Sequence, residues 1–212
     1  MADSRIAGCF VVDHPLVRSK IAVLRSRDTS CEQFRRTLHE LTTLIAFEAT
    51  RDLLTKNIEV ETPLARCAGH RLAHPVTIVP ILRAGLGMAE ALWDVIPEAR
   101  VGHVGMYRDE KTLRPKSYYF KTPPDLAETD VFLVDPMLAT GHSASDAATE
   151  LKSSRVTSLR LMAMVGCVEG VTRFRKNHPD VPVYLAVLDE HLNDQAYILP
   201  GLGDAGDRYF GT

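Results

Sequence analysis

The chain of 212 residues predicts an α/β fold with a mostly parallel sheet and helices on both faces. Three observations carry this. Short runs of β-branched and apolar residues alternate with segments of helical period. The clearest run, Val131-Phe-Leu-Val134, ends on an acid, Asp135, before a Thr-Gly turn and a helix start. Basic and acidic residues (Arg83, Arg108, Asp135 and Asp189) each follow a predicted strand, so all four can meet at the carboxyl edge of one sheet, where such folds bind ligands.

Taken in order, Ser30-Cys-Glu-Gln33 has the form of a capping box, and Phe34, Leu38, Leu41 and Ile45 share one face of a helix extending to about Leu54. Val76-Thr-Ile-Val79 predicts a buried strand that Pro80 stops. Arg83-Ala-Gly-Leu-Gly87 is a turn leading into a helix over Met88–Val95. Val101–Met106 is the next strand. The span Arg108–Lys121 is polar and predicts a mobile cationic flap able to close over a polyanion, the plainer reading being a solvated loop or hairpin. Its Tyr118-Tyr-Phe120 triplet is read as packing. After strand 131–134 a helix runs to about Lys152, Ser143 and Asp146 having capping-box spacing. Leu159–Val165 is a strand, Gly170–Asn177 a helix and Val183–Val187 a strand. Asn193–Thr212, rich in Gly, Pro and Asp, does not read as a core element and predicts a cap or hood over about 189–212. No linker divides the chain, so one domain over 1–212 is expected, carrying a flap at about 108–121 and this hood.

Bulk composition narrows the function. With 45% hydrophobic and 25% charged residues the chain reads as a soluble globular protein, and a formal net charge of −2 argues against nucleic-acid binding through a basic field. No apolar run approaches a membrane span, no convincing secretory signal is present, and four widely spaced cysteines favour a reducing compartment, so a cytoplasmic location is expected. The histidines form no ligand pattern; His14, His70, His74 and His178 read as surface or turn residues, and no protein-held metal is expected.

Asp135–Ser143 is the strongest motif. Its turn, Ala139-Thr-Gly-His-Ser143, offers backbone N–H groups and two hydroxyls at a helix N-terminus, an arrangement suited to phosphate, and Asp135 just ahead suits a sugar diol or a metal-bound sugar. The segment therefore points to a sugar phosphate. No Walker pattern occurs, so it is not the usual nucleotide-triphosphate loop. Arg83 after its strand suits a phosphate fork. Gly201-Leu-Gly-Asp-Ala-Gly206 matches a dinucleotide fingerprint by letter, but follows Pro200 and comes too near the end for a βαβ unit. A glycine-rich cap offers backbone donors and acceptors for a flat heterocycle instead.

These segments together resemble the uracil phosphoribosyltransferases, a type I phosphoribosyltransferase family. The resemblance runs from Asp13-His-Pro-Leu-Val17 through Phe47-Glu-Ala-Thr50, Val79–Met88, Val104–Arg108, Asp135–Gly141 and Asp189–Asn193 to Tyr197–Asp207. It implies the phosphoribosyltransferase fold with a C-terminal hood and flexible flap. It also implies a pentosyltransferase of pyrimidine salvage joining uracil to 5-phosphoribosyl 1-diphosphate to give UMP and diphosphate, with Mg²⁺ carried mainly by that substrate. By position, Arg83 and Arg108 would hold the diphosphate, Asp135 the ribose hydroxyls, and Pro136, Met137, Leu138, Ala139, Thr140, Gly141, His142 and Ser143 the rest of the phosphoribosyl group. Ile198, Gly203, Asp204 and Ala205 would take uracil, Asp204 also facing the diphosphate substrate. A homo-oligomer and a GTP effector, as in some relatives, are further expectations. The rival reading is a non-catalytic regulator on the same fold, sensing phosphoribosyl diphosphate or UMP; an enzyme for another base is a third. The chain departs from the family pattern at His142 in place of a second glycine, at Ser117 in place of a proline, and at Gly166-Cys-Val-Glu-Gly170.

Overall fold

The computed structural model describes residues 6–108 and 115–212. In chain order the elements are β1 (Cys9–Val11), α1 (Pro15–Arg25), α2 (Cys31–Ala49), β2 (Thr55–Glu61), β3 (Arg66–Leu72), β4 (Val76–Leu82), α3 (Leu86–Val95), β5 (Arg100–Val101), β6 (His103–Arg108) and β7 (Pro115–Lys121). They continue with β8 (Asp130–Val134), β9 (Met137–Leu138), α4 (His142–Ser153), β10 (Ser158–Cys167), α5 (Val168–Asn177), β11 (Val183–Asp189), β12 (His191–Leu192), β13 (Ile198–Leu199) and α6 (Ala205–Phe210).

Among the described residues the main sheet has nine strands, with β1-β11-β10-β8-β4-β6-β7 as its path and β5 and β9 attached to β4 and β10. The pairings along that path are parallel except β6–β7, which is antiparallel. Period-two alternation divides the core into two layers. Val76, Ile78, Phe132, Val134, Met162 and Met164 face α1, α2 and α3, while Val79, Ile81, Val131, Leu133, Leu161 and Ala163 face α4 and α5. The predicted fold class therefore stands. Ser30 caps α2 as expected, accepting from the Gln33 N–H at 3.2 Å.

Several boundaries differ from expectation, each for a local reason. β4 passes through Pro80 to Leu82. Pro80 sits where pairing with β8 ends, at Pro80↔Val134, and pairing with β6 begins, at Ile81↔Val104, so its missing N–H interrupts neither ladder's interior. α2 ends at Ala49 rather than Leu54, the Thr50 hydroxyl turning back onto the Ala46 carbonyl at 2.7 Å. α4 begins at His142, before Ser143, with Gly141 as its N-cap and no side-chain cap. His178 is buried, its Nε2 lying 3.0 Å from the Ser145 carbonyl oxygen.

Two features carried no expectation from the sequence. α1 starts on Pro15, where a missing N–H is harmless, and His14 Nδ1 accepts from the Leu16 N–H at 3.1 Å. The β2–β3 hairpin is exposed along nearly its whole length, and polar–apolar alternation is confined to Asn57–Glu61 of β2, with none in β3.

The flap span begins and ends as a hairpin stem. β7 pairs with β6, with a register shift at Gly105/Met106, and Phe120 packs into the core while Tyr118 and Tyr119 are exposed. The loop itself, residues 109–114 with Lys111 and Arg114, lies outside the described residues.

Phe132 is fully buried at the centre of the sheet, with the Arg160 guanidinium 5.6 Å from its ring centroid. Replacing Phe132 by Ala should destabilise the fold by about 3–5 kcal/mol. In urea titration the midpoint should fall with the slope unchanged; an unshifted midpoint would show that the site collapses around the void.

Candidate active site

Two adjacent strands of the sheet part company at their carboxyl ends. From β4 the chain runs through α3 to β6 on one side, and from β8 it runs through α4 to β10 on the other. A crevice opens where strand order reverses in this way. Arg83 follows β4 and Asp135 follows β8, so the two predicted groups flank it. The turn between β4 and α3 must lie close to β8: a Cβ on Gly85 would come within 2.5 Å of the Val134 carbonyl oxygen. Glycine is required there by proximity rather than by an unusual φ.

Asp135 leads directly into the phosphate-cradle segment. Its Oδ1 accepts from the Met137 N–H at 3.2 Å, and the Pro136 carbonyl accepts from Met164 and Val165 at 3.0 Å each. Met137 and Leu138 then pair with Val165 and Gly166 of β10. The cradle is thus entered from a sheet-anchored strand. Gly141, at φ 78°, makes the sharp entry to α4, and any Cβ on it would meet the Gly170 carbonyl oxygen at 2.4 Å. Gly170 in turn has no room for a side chain, its Cβ position being 2.1 Å from the Ala139 carbonyl oxygen. The Gly166–Gly170 segment therefore backs the cradle.

His142 is the first residue of α4, and its φ is not positive. The backbone penalty that a non-glycine would carry at positive φ does not apply. Its ring lies beside the cradle, with Nδ1 3.2 Å from Thr140 Oγ1 and Nε2 3.1 Å from Arg173 Nη1. Arg173 also donates to the Thr140 carbonyl at 2.8 Å and pairs with Glu169 at 3.2 Å. The sequence reading missed Arg173; its i,i+4 spacing from Glu169 was the available signal.

Hood and crevice share walls. A cavity of about 200 Å³ is lined by Asp135, Met137 and Ala139 from the cradle side and by Ile198, Gly203, Asp204 and Ala205 from the hood. Ala84, Ala196, Tyr197 and Gly206 complete it; the sequence had assigned none of these four a role, although Ala84, Tyr197 and Gly206 lie in segments it marked. Ile198 and Ala205 are buried, whereas Gly203 (φ 81°) and Asp204 are exposed. Asp204 caps α6 by accepting from the Asp207 N–H at 2.9 Å. The hood is not peripheral, as the sequence suggested: Ile198, Leu202 and Ala205 belong to the same core layer as α1, α2 and α3.

Burial pushes the Asp135 carboxyl up to about 7; the Met137 N–H opposes this, and the nearby Asp204 carboxylate adds to it. Arg83 is largely exposed, 3.8 Å from Asp207 and with its guanidinium 5.5 Å from the Phe210 ring centroid. Arg108 closes β6 at the same edge, and its side chain lies outside the described residues. Pro136, Leu138, Thr140, Gly141, His142 and Ser143 follow Asp135 along the cradle without lining the cavity. Asp189 does not join the site: its carboxylate is occupied by Arg25 and the Gly201 N–H. A larger groove, of about 940 Å³, lies among Phe10, Val17, Leu44, Phe47 and Tyr184, and none of the predicted site residues line it.

Similarity to known proteins identifies the family. Residues 11–212 match the family model described as uracil phosphoribosyltransferase. The chain is 54% identical over 202 residues to the uracil phosphoribosyltransferase of Acholeplasma laidlawii, covering 95% of this chain and 97% of that one. It is 52% identical over 206 residues to that of Clostridium beijerinckii, at the same coverage. A solved protein structure from Aquifex aeolicus superposes with a TM-score of 0.92 at 36% identity, covering 96% and 98% of the two chains. A hypoxanthine-guanine phosphoribosyltransferase from Bacillus anthracis shares the fold, with a TM-score of 0.51 at 11% identity over 75% of this chain and 80% of that one. With a near full-length family match and relatives above half identity, the chain belongs to the uracil phosphoribosyltransferase family.

Proposed function

We propose that the protein transfers the phosphoribosyl group of 5-phosphoribosyl 1-diphosphate to uracil, giving UMP and diphosphate. The observation that carries this is the shared cavity, in which the acid ahead of the phosphate cradle faces the hood segment Ile198–Ala205. Ala139–Ser143 would receive the 5-phosphate at the N-terminus of α4, Asp135 the ribose hydroxyls, and Arg83 with Arg108 the diphosphate. Ile198, Gly203, Asp204 and Ala205 would hold uracil, largely through backbone atoms, with Asp204 also turned toward the diphosphate.

Displacement at C1 of the ribose develops positive charge on the sugar and negative charge on the leaving diphosphate. Alignment of the base with C1 supplies up to about 7–11 kcal/mol in favourable cases. Arginine at the strand ends would stabilise the charge that develops on the leaving group. Magnesium, carried by the diphosphate, supplies further charge neutralisation there. Asp135 and Asp204, close enough for one carboxylate to raise the pKa of the other, suit a ligand that brings a cation. Assembly as a homo-oligomer is supported by the exposed apolar side chains Leu16 and Phe47, the latter lining the large groove.

The direct test is UMP formation from uracil, the diphosphate substrate and Mg²⁺, with cytosine, hypoxanthine and orotate as controls. Turnover with uracil alone is expected; turnover with another base, or with none, overturns the reading.

Asp135 gives a pH signature. Its folded pKa of about 7 lies above the unfolded value of 3.8, so the folded state binds more protons between those limits and loses stability as pH rises through them. Asp135→Asn should therefore stabilise the unliganded protein by a few kcal/mol at pH 8, a difference that vanishes toward pH 4. Chemical denaturation at the two pH values measures this. The cation-bearing substrate favours the ionised carboxylate, so its affinity should rise with pH up to about 7, more steeply in the wild type than in Asp135→Asn.

His142→Gly should tighten binding of the diphosphate substrate, because the imidazole engages the Thr140 hydroxyl that the phosphate needs. Freeing one such hydrogen bond predicts a change of about 2- to 10-fold. Calorimetric titration showing equal or weaker binding would reverse this view of His142.

A further inference from the structure

The hood wall is held from outside the cavity by two arginines that converge on one turn of α1. Gly201, midway between Ile198 and Gly203, is gripped through both of its backbone groups. Its N–H donates to Asp189 Oδ2 at 3.0 Å, and its carbonyl accepts from Arg25 Nη1 at 3.3 Å. Arg25 and Asp189 meet as a two-pronged pair at 2.7 and 3.0 Å, with the Asp189 side chain only 6% exposed and that of Arg25 21%. At the next residue, the Leu202 carbonyl accepts from Arg208 Nη1 at 2.7 Å. The same guanidinium donates to the carbonyls of Leu24 and Ser26 and lies 4.6 Å from the Phe34 ring centroid. Leu24, Arg25 and Ser26 are the final turn and C-cap of α1, whose terminal carbonyls lack partners within the helix and accept readily from cations.

The turn so held has little slack. Gly201 sits at φ +55°, and its Cβ position is 2.1 Å from the Ile198 carbonyl oxygen. Neither Arg25 nor Asp189 lines the cavity, so neither touches a base bound there. Both nevertheless fix the backbone whose N–H and C=O groups would meet it. Backbone recognition cannot be recovered by a rotamer change, so a displacement of the turn is passed on to the bound base in full.

We propose that Arg25 is a positioning residue for base recognition: through Asp189 it sets Gly201, and through Gly201 the backbone of Ile198 and Gly203–Ala205. This rests on the uracil-transfer reading above. The cradle and Asp135 are mounted on β8, β9 and α4, whereas the hydrogen bonds of Arg25 go to Asp189 and Gly201; the diphosphate substrate meets the hood only at Asp204, so the change falls mainly on the base.

The experiment is steady-state kinetics of the full chain and its Arg25→Gln, Arg25→Lys and Asp189→Asn variants, varying each substrate in turn, with thermal melts to verify folding. Arg25→Gln should raise the KM for uracil about tenfold, the scale of a lost charge-assisted hydrogen bond, and leave that for the diphosphate substrate within about twofold. Arg25→Lys keeps the charge without the fork and should recover part of the loss; it also serves as the test should Arg25→Gln fail to fold. Unchanged uracil KM in a folded variant, or equal rises for both substrates, overturns the positioning role while leaving the proposed activity standing. A wild type that does not turn over uracil overturns both.

Discussion

The divergence of β4 and β8 at their carboxyl ends is the constraint on which the site depends. Hydrogen-bonded neighbours up to Pro80↔Val134, they send the chain to opposite halves of the sheet. No crossover can cover the point of departure, so a crevice remains that the backbone itself lines. Arg83 and Asp135 flank this opening by virtue of their position in the chain. Gly85 lets the first turn lie against the second strand. The desolvation that raises the Asp135 carboxyl follows from the same packing, since a group at the root of a crevice between buried strands has little water about it.

The turn proposed to receive phosphate is supported by close backbone packing around two glycines. A Cβ on Gly141 would meet the Gly170 carbonyl, and one on Gly170 the carbonyls of Ala139 and Leu138, which brings the start of α5 against the turn before α4. Arg173 then ties the Thr140 carbonyl back to α5. His142 occupies the first position of α4, where right-handed backbone suits any residue, so its influence falls on the chemistry of the cradle and not on its conformation.

The hood illustrates a different economy. Its elements are too short to stand alone, two residues each for β12 and β13 and six for α6. Their order comes from Ile198, Leu202 and Ala205 buried beside α1, α2 and α3, and from the cations that carry the loop onto the end of α1. A loop held in this way presents main-chain donors and acceptors at fixed positions. That is what discrimination between flat heterocycles of similar size demands, since an unpaired buried polar group costs more than a missing contact.

Apolar periodicity made the central strands and α2 legible, because burial on both faces of the sheet demands it. The Asp135–Ser143 segment was legible because strand, acid, turn and helix start are contiguous in the chain. The β2–β3 hairpin and α1 were not, because their signals are short: the alternation of β2 is confined to Asn57–Glu61, and the apolar face of α1 to Val17, Ile21 and Leu24. Boundaries shifted where a partner strand or a returning hydroxyl decided them, as at Pro80 and Thr50. The sequence by itself determined the fold class, the two groups at the crevice and the family to which the chain belongs. Only the tertiary structure decided that the hood is part of the core, that Asp189 serves Arg25 and Gly201, and that Gly170 and Arg173 back the cradle. Those contacts join residues from 12 to 164 positions apart, as between Asp189 and Gly201 or Arg25 and Asp189, and depend on packing that no local pattern encodes.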